Sequence, residues 1–313
     1  MKYSTTPGIN KKWSKITLGC WQLAPTQGWG DVASEKDAEL VIKTALDAGI
    51  TAFDTAEGYS HGESERRLGK ALGNRINDVI VISKIWPDAE LTLEAYEERL
   101  NNSLKALNRE YVDLFLIHWP GDYFNTEEKS QKLSDIMLAI KKSGKATLIG
   151  LSNFHKVHLD LLGQNISNFS INEVPYSLLE REYEGETRDV CIKNKLQYIA
   201  YSPTAKGLLA RRLNEYDLSF PARQHDDVYE KTLYPKALKV FEVAESIAKE
   251  INAKPINVVL AWVLEQENIL TAIVGSRKPE QVSEFAQTTK FKLSNLQNQR
   301  LEEASKEFEH HKS

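Results

Sequence analysis

Two kinds of hydrophobic pattern alternate along the chain. Short runs rich in β-branched residues recur: KITLG at 15–19, ITAFD at 50–54, VIVIS at 79–83 and DLFLI at 113–117, then ATLIGL at 146–151, INEVPY at 171–176, LQYIAY at 196–201 and ILTAIVG at 269–275. Several are apolar at consecutive positions, the pattern of strands covered on both faces. Between them lie stretches with helical spacing. In TLEAYEERLNNSLKALN, the positions Leu93, Tyr96, Leu100, Leu104 and Leu107 step by three or four. Thr92 stands where a helix N-cap belongs. Ser34 and Asp37 make an approximate capping box at the head of EKDAELVIKTALDAG, and Gly49 ends that helix. Eight strands, each followed by a helix, predict βαβ units and a parallel sheet. That number points to a closed (β/α)₈ barrel of the TIM type rather than an open sheet.

Two places break the alternation. The segment 208–234 is a long polar connection after the seventh strand, and long loops in compact domains are usually functional. The stretch 291–308 carries an extra C-terminal amphipathic helix, NLQNQRLEEASKEF. No linker, low-complexity tract or short repeat interrupts the chain, so residues 1–313 are expected to form one barrel domain.

Composition narrows the function classes. Lys+Arg 40 against Asp+Glu 44 leaves a net charge of −4, with no basic footprint for nucleic acid. No apolar run approaches the ~18 residues of a membrane span. The N-terminal MKYSTTPGINKKW has no apolar core, so no secretory signal is expected. Two cysteines, Cys20 and Cys191, cannot form a disulfide scaffold, and the expected address is a reducing cytoplasm.

In such a barrel, chemistry sits at the C-terminal ends of the strands. The second strand ends in Asp54 with Tyr59 on the loop beyond, the third in Lys84, the fourth in His118. Apolar runs lead directly into Asp54, Lys84 and His118, so burial is expected. A buried Asp and a buried Lys each need a partner, and neighbouring strands can supply one. A tyrosine beside that ammonium gains a role. Its ordinary pKa of about 10 is too high for proton exchange near neutrality, and a close cation lowers it. His118 could then hydrogen-bond and orient a reacting carbonyl oxygen.

These residues carry a resemblance to the aldo-keto reductases over essentially the whole chain. It rests on FDTAEGYSHGESERRLGKAL at 53–72, ISK at 82–84, YVDLFLIHWP at 111–120 and IGLSNF at 149–154, and continues in INEVPY, AYSPTAKGLL at 200–209 and IVGSRKPEQVSEFAQ at 273–287. The resemblance implies a (β/α)₈ barrel that binds NADP(H) and transfers hydride between the nicotinamide and a carbonyl or alcohol carbon. It implies a catalytic tetrad of Asp54, Tyr59, Lys84 and His118. It implies that Ser152 and Asn153 hold the nicotinamide carboxamide and that Tyr201 stacks on the ring. Ser202, Lys206, Gly207 and Leu208 would run beside the pyrophosphate, with backbone N–H groups as donors. Gly275, Ser276 and Arg277 would meet the 2′-phosphate, with Gln281 and Glu284 near the adenosine, and Trp21 and Asp54 would border the cofactor. The sequence departs from the family pattern at Glu173, where many relatives carry Gln. An ionised Glu can accept from the carboxamide NH₂ but cannot donate.

The aromatic residues Trp21, Trp86, Trp119, Tyr123 and Phe124 follow strand ends and are expected to wall the substrate pocket. The chain stops soon after its last helix, which suggests an open pocket for small aldehydes, ketones or sugars. The expected partner is therefore a small carbonyl or alcohol substrate, not nucleic acid or a membrane. Other patterns read as structure. GWGDVA at 28–33 fits a loose G-x-G-x-x-A but follows no strand. His155 and His158 read as a helix start, since no third metal ligand is evident. His310 and His311 lie in a polar tail, and Cys20 reads as a small core residue. Arg211 and Arg212 read as solvated, on a loop that could fold over the cofactor. Two rival functions are a regulatory binding protein, similar to the β-subunits of potassium channels, and a metal-dependent barrel hydrolase. The first would act through a partner, and no added segment ahead of the barrel favours it. The second needs clustered ligands such as H-x-H at a strand end, and none is present.

Overall fold

Residues buried on both faces must lie between two apolar layers, and the eight runs do so here. In a computed structural model of the chain, which describes residues 1–25 and 27–308, they form β3 (Ile16–Gly19), β4 (Ala52–Asp54), β5 (Ile80–Ile85), β6 (Val112–Ile117), β7 (Ala146–Ser152), β8 (Ile171–Pro175), β9 (Gln197–Tyr201) and β10 (Ile269–Gly275). His310 and His311 lie outside the described residues. The strands pair in parallel in the order β10-β3-β4-β5-β6-β7-β8-β9 and close into a barrel. It is a (β/α)₈ TIM barrel. No described helix is long and apolar enough to cross a membrane.

The surrounding helices are α1 (Glu35–Asp47), α2 (Glu63–Leu72), α3 (Leu93–Leu107), α4 (Glu127–Lys142), α5 (Lys156–Leu162) and α6 (Glu186–Lys193). There follow the short α7 (Glu215–Leu218) and α8 (Pro221–Gln224), then α9 (Tyr234–Glu250), α10 (Pro255–Glu265), α11 (Pro279–Phe285) and the C-terminal α12 (Asn295–Ser305). Their starts follow local chemistry. The Ser34 hydroxyl accepts from the Asp37 N–H, and the Asp37 carboxylate accepts in return, a complete capping box on α1. Thr92 caps α3 by accepting from Ala95 N–H at 3.3 Å. Ser294 and Gln297 form a second capping box on α12. That helix is tied to the barrel wall by Glu302, which accepts from Trp262 Nε1 at 2.8 Å and pairs with Arg181 at 2.7 Å.

One element was not expected. Residues Tyr3–Thr6 (β1) and Ile9–Ser14 (β2) form an antiparallel hairpin across the N-terminal end of the barrel. Pro7-Gly8 makes the turn, with Gly8 at φ +91°, a backbone that favours glycine. A Cβ there would lie 2.9 Å from the Leu148 side chain. Ile9 and Trp13 close the interior by packing on Ala52, Ile80, Leu114, Leu148 and Ile171. Trp13 is wholly buried, and its indole N–H donates to Thr17 Oγ1 at 3.2 Å. Trp13→Ala is expected to cost about 3–5 kcal/mol, as large-to-small core changes do. Urea unfolding would measure it, and a loss below about 1 kcal/mol would show that the hairpin is not part of the cooperative unit.

Candidate active site

Alternation along each strand decides which side chains enter the barrel. Ala52 faces the interior, so Asp54 does too. Ile80 and Ile82 lead to Lys84, and Leu114 and Leu116 lead to His118. By the same count Leu148 and Gly150 lead to Ser152, Ile171 to Glu173 and Ile199 to Tyr201. Six polar side chains thus converge at the C-terminal rim, above a dry apolar interior. Tyr59 reaches them from the loop after β4, whose turn is held by Tyr59 N–H donating to Ala56 O at 3.0 Å.

Lys84 is the centre of the cluster and is fully buried. Its ammonium donates to Asp54 Oδ2 at 2.5 Å and to Thr55 O at 3.1 Å, and it stands 3.5 Å from the Tyr59 hydroxyl. Glu173 Oε1 lies 3.4 Å away. Burial opposes the lysine's charge, but Asp54 and Glu173 outweigh it and its pKa is raised. Burial pushes the Asp54 carboxyl up, against the pull of Lys84. Glu173 is pushed up to about 8 by burial and by the Asp54 charge. The neutral form that burial favours can donate as well as accept. His118 is held well below its ordinary value by burial and by Lys84, so its ring is neutral. Its Nδ1 and Glu173 Oε2 are buried without hydrogen-bond partners among the described residues.

Tyr59 corrects a sequence expectation. Its phenol is not lowered overall: burial raises its pKa, Lys84 offsets part of that, and Asp54 and Glu173 add to the rise. The hydroxyl is held as an acid.

A cleft of about 1200 Å³ runs from this cluster across the rim. Asp54, Tyr59, His118, Ser152, Asn153, Glu173 and Tyr201 line one end. Asn153 is fixed by three bonds: its Nδ2 donates to His118 O and to Ser152 Oγ at 3.0 Å each, and its Oδ1 accepts from the Tyr201 hydroxyl at 2.8 Å. Ser202, Lys206, Gly207, Gly275, Arg277, Gln281 and Glu284 line the cleft as well. Trp21, Trp86 and Trp119 stand about two-fifths exposed at the mouth. The Trp86 ring meets His118 edge-on at 5.1 Å.

Four expected residues are not brought to the cleft. The Ser276 hydroxyl is buried in its own turn, bonded to Lys278 O at 2.8 Å and Gln281 Oε1 at 3.1 Å. Leu208 is buried in the core. Tyr123 turns under the rim and donates to Ala89 O, and Phe124 is buried on Phe154. Of the backbone donors expected from SPTAKGLL, the N–H groups of Ala205, Gly207, Leu208 and Leu209 close local turns. Lys206 is paired with Asp226 at 2.7 Å.

The long loop supplies what was not assigned from the sequence. It crosses the cleft and meets the loop after β3. The Tyr216 hydroxyl reaches Asp31 Oδ2 at 3.4 Å, and the Arg223 guanidinium lies over the Trp29 ring at 5.6 Å. Arg277 donates to Trp29 O and Asp31 O. Arg223 donates to Lys206 O and Asp217 O. Both guanidinium groups donate to backbone carbonyls, with Asp37 near Arg277 and Asp217 near Arg223. Arg211 lines the cleft but is paired with Asp217 at 2.6 Å, and Arg212 reaches Glu245 at 3.2 Å. The signal was the loop's length; its arginines carry no period that reveals their direction. His155 caps α5, its N–H donating to His158 Nδ1 at 3.3 Å. No group of three or more His, Cys, Asp or Glu able to hold a metal occurs among the described residues. Orphaned polar atoms beside an amide clamp, an aromatic ring at Tyr201 and the guanidinium groups of Arg223 and Arg277 in the cleft fit an anionic dinucleotide.

Comparison with known proteins agrees with this arrangement. The Aldo/keto reductase family profile matches residues 15–306. Aldo-keto reductase YhdN of Bacillus subtilis is 31% identical, over 94% of this chain and 90% of its own. The NADH-specific methylglyoxal reductase of Escherichia coli is 26% identical, over 90% and 91%. The solved structure of the glycerol dehydrogenase AKR11B4 from Gluconobacter oxydans has a TM-score of 0.83 at 26% identity, covering 99% of this chain and 96% of that one. The chain belongs to the aldo/keto reductase family of oxidoreductases.

Proposed function

We propose that the protein is an NADP(H)-dependent reductase of small aldehydes and ketones, which oxidises the corresponding alcohols or sugars with the same residues. The observation that carries this is the Lys84 ammonium, 2.5 Å from Asp54 and 3.5 Å from the Tyr59 hydroxyl at the floor of the cleft. When bound, the nicotinamide supplies or accepts the hydride. Tyr59 gives its proton to the carbonyl oxygen in reduction, and burial keeps that proton in place until needed. Lys84 stabilises the phenolate left behind, and Asp54 holds Lys84. His118, neutral, orients the carbonyl. Ser152, Asn153 and Glu173 would hold the carboxamide, and Tyr201 would stack on the ring. Trp21, Trp86 and Trp119 would form an apolar mouth for the substrate. A panel of aldehydes, ketones and alcohols, read by the absorbance of reduced nicotinamide, tests the reading. Absence of turnover with every carbonyl would refute it.

The preference for NADP(H) rests on Arg277, whose guanidinium can hold a phosphate with two parallel bonds. A bond to a charged group contributes roughly 1.5–3 kcal/mol net, and exposure favours the lower end. At about 1.4 kcal/mol per decade, Arg277→Ala is expected to weaken NADPH about 10-fold more than NADH. Calorimetric titration of both cofactors checks this. Equal losses would mean that Arg277 only supports the loop carrying Trp29 and Asp31.

A further inference from the structure

The cluster at the barrel rim holds one cation and two carboxyls. Lys84 Nζ lies 2.5 Å from Asp54 Oδ2 and 3.4 Å from Glu173 Oε1, and all three side chains are almost wholly buried. Two ionised carboxylates would leave this buried cluster with a net negative charge. One shared proton makes it neutral, and burial of net charge is expensive. Asp54 has the shorter bond to the ammonium, so the proton falls to Glu173, whose Oε2 has no partner among the described residues.

We propose that Glu173 is a positioning residue that shares one proton with Asp54 over Lys84 and, once that proton is lost to water, opposes the Tyr59 phenolate and so biases the enzyme toward reduction. Reduction needs the phenol, and oxidation needs the phenolate. A second negative charge beside Lys84 cancels part of the attraction that would favour a phenolate. The groups facing Glu173 are few: Asp54 and Tyr59 from β4 and its loop, Lys84 from β5, and Tyr201 from β9. Glu180, after β8, lines the same cleft, and His118, after β6, stands beyond Lys84. Lys84 is the only cation among them. The Glu173 carboxyl is pushed up to about 8 by burial and by Asp54, which sets the range in which the change occurs.

The inference rests on Tyr59 as the proton donor, and two measurements separate the claims. The first uses the protein without cofactor. Infrared spectra should contain a protonated carboxyl band at pH ~6 that disappears as pH rises through about 8 and is missing in Glu173→Gln. Glu65, buried against Ser83 and pushed up to about 7 by burial, gives a second such band, so Glu65→Gln must retain the first. The second follows alcohol oxidation against pH. One like charge is taken as shifting the phenol by about one unit, or tenfold in phenolate. The oxidation rate of Glu173→Gln relative to the native protein, whatever its level below pH ~7, should therefore be about 10-fold higher above pH ~9 than below pH ~7. The reduction ratio should stay flat. A band missing at low pH, a band that survives in Glu173→Gln, or an oxidation ratio flat with pH overturns the proposal. Should Glu173→Gln not fold, the band of the native protein and of Glu65→Gln still decides the proton sharing. Full activity of Tyr59→Phe would instead overturn the functional reading, leaving the band intact.

Discussion

Tyr59→Phe is expected to lower the rate of carbonyl reduction by about 10²–10⁴-fold, the usual worth of a positioned general acid. The change removes one oxygen atom and leaves the ring. That ring packs edge-on against His118 at 5.7 Å and beside Trp21 at 6.3 Å, so the wall of the pocket persists. The lost hydroxyl stands 3.5 Å from Lys84 Nζ, lines the cleft and carries a transferable proton. His118 cannot replace it, because burial and Lys84 hold its ring neutral. Cofactor affinity should be unchanged, since the hydroxyl is not among the groups assigned to hold the dinucleotide. Steady-state rates on a reactive aldehyde, with a calorimetric titration of NADPH, check both halves. A variant with near-native turnover would show that another group delivers the proton.

Lys84→Met should be as damaging to turnover and more damaging to the fold. Methionine fits the apolar length of the side chain but removes the cation that Asp54 and Glu173 both face. Breaking a buried pair by removing one partner typically costs about 3–5 kcal/mol, because the charge left behind has no compensation. Asp54 would respond by taking up a proton, and the phenol of Tyr59 would lose the one neighbour that favours its phenolate. Oxidation should then vanish across the accessible pH range, and reduction should fall by about 10²–10⁴-fold. Asp54→Asn should be milder, because Lys84 keeps its charge and retains Thr55 O and Glu173 as partners. Thermal unfolding together with rate–pH profiles distinguishes the variants. An unchanged pH profile in Lys84→Met would rule out the coupling between lysine and phenol.

What could be read from the sequence followed burial. The eight barrel strands are visible because strands covered on both faces must be apolar at consecutive positions, as in VIVIS and DLFLI. The inward direction of Asp54, Lys84 and His118 follows from counting in twos along those runs. The hairpin escaped notice because only Ile9 and Trp13 of its second strand carry the buried face at full size, spaced by polar lysines. Pro7-Gly8 was the available signal. Turns obey no such count. Ser276 faces inward because its hydroxyl closes the turn before α11, and Tyr123 dips under the rim to reach Ala89. Neither direction is written in spacing. The path of the long loop depends on Arg223 turning back onto the carbonyls of Lys206 and Asp217, and the loop after β3 is held by Arg277 from the far end of the chain, contacts that a local pattern cannot encode.

The placement of the tryptophans gives the molecule a built-in optical reporter. Of the 6 in the chain, Trp13 and Trp262 are sealed in the core and should emit at short wavelength whatever occupies the cleft. Trp21, Trp86 and Trp119 stand in solvent at the mouth, and Trp29 lies in the cover over the cleft, 5.4 Å from Trp21. The long-wavelength part of the emission therefore comes from the region where a ligand would sit, and the short-wavelength part from the scaffold. One spectrum should separate occupancy of the cleft from loosening of the barrel without any attached dye.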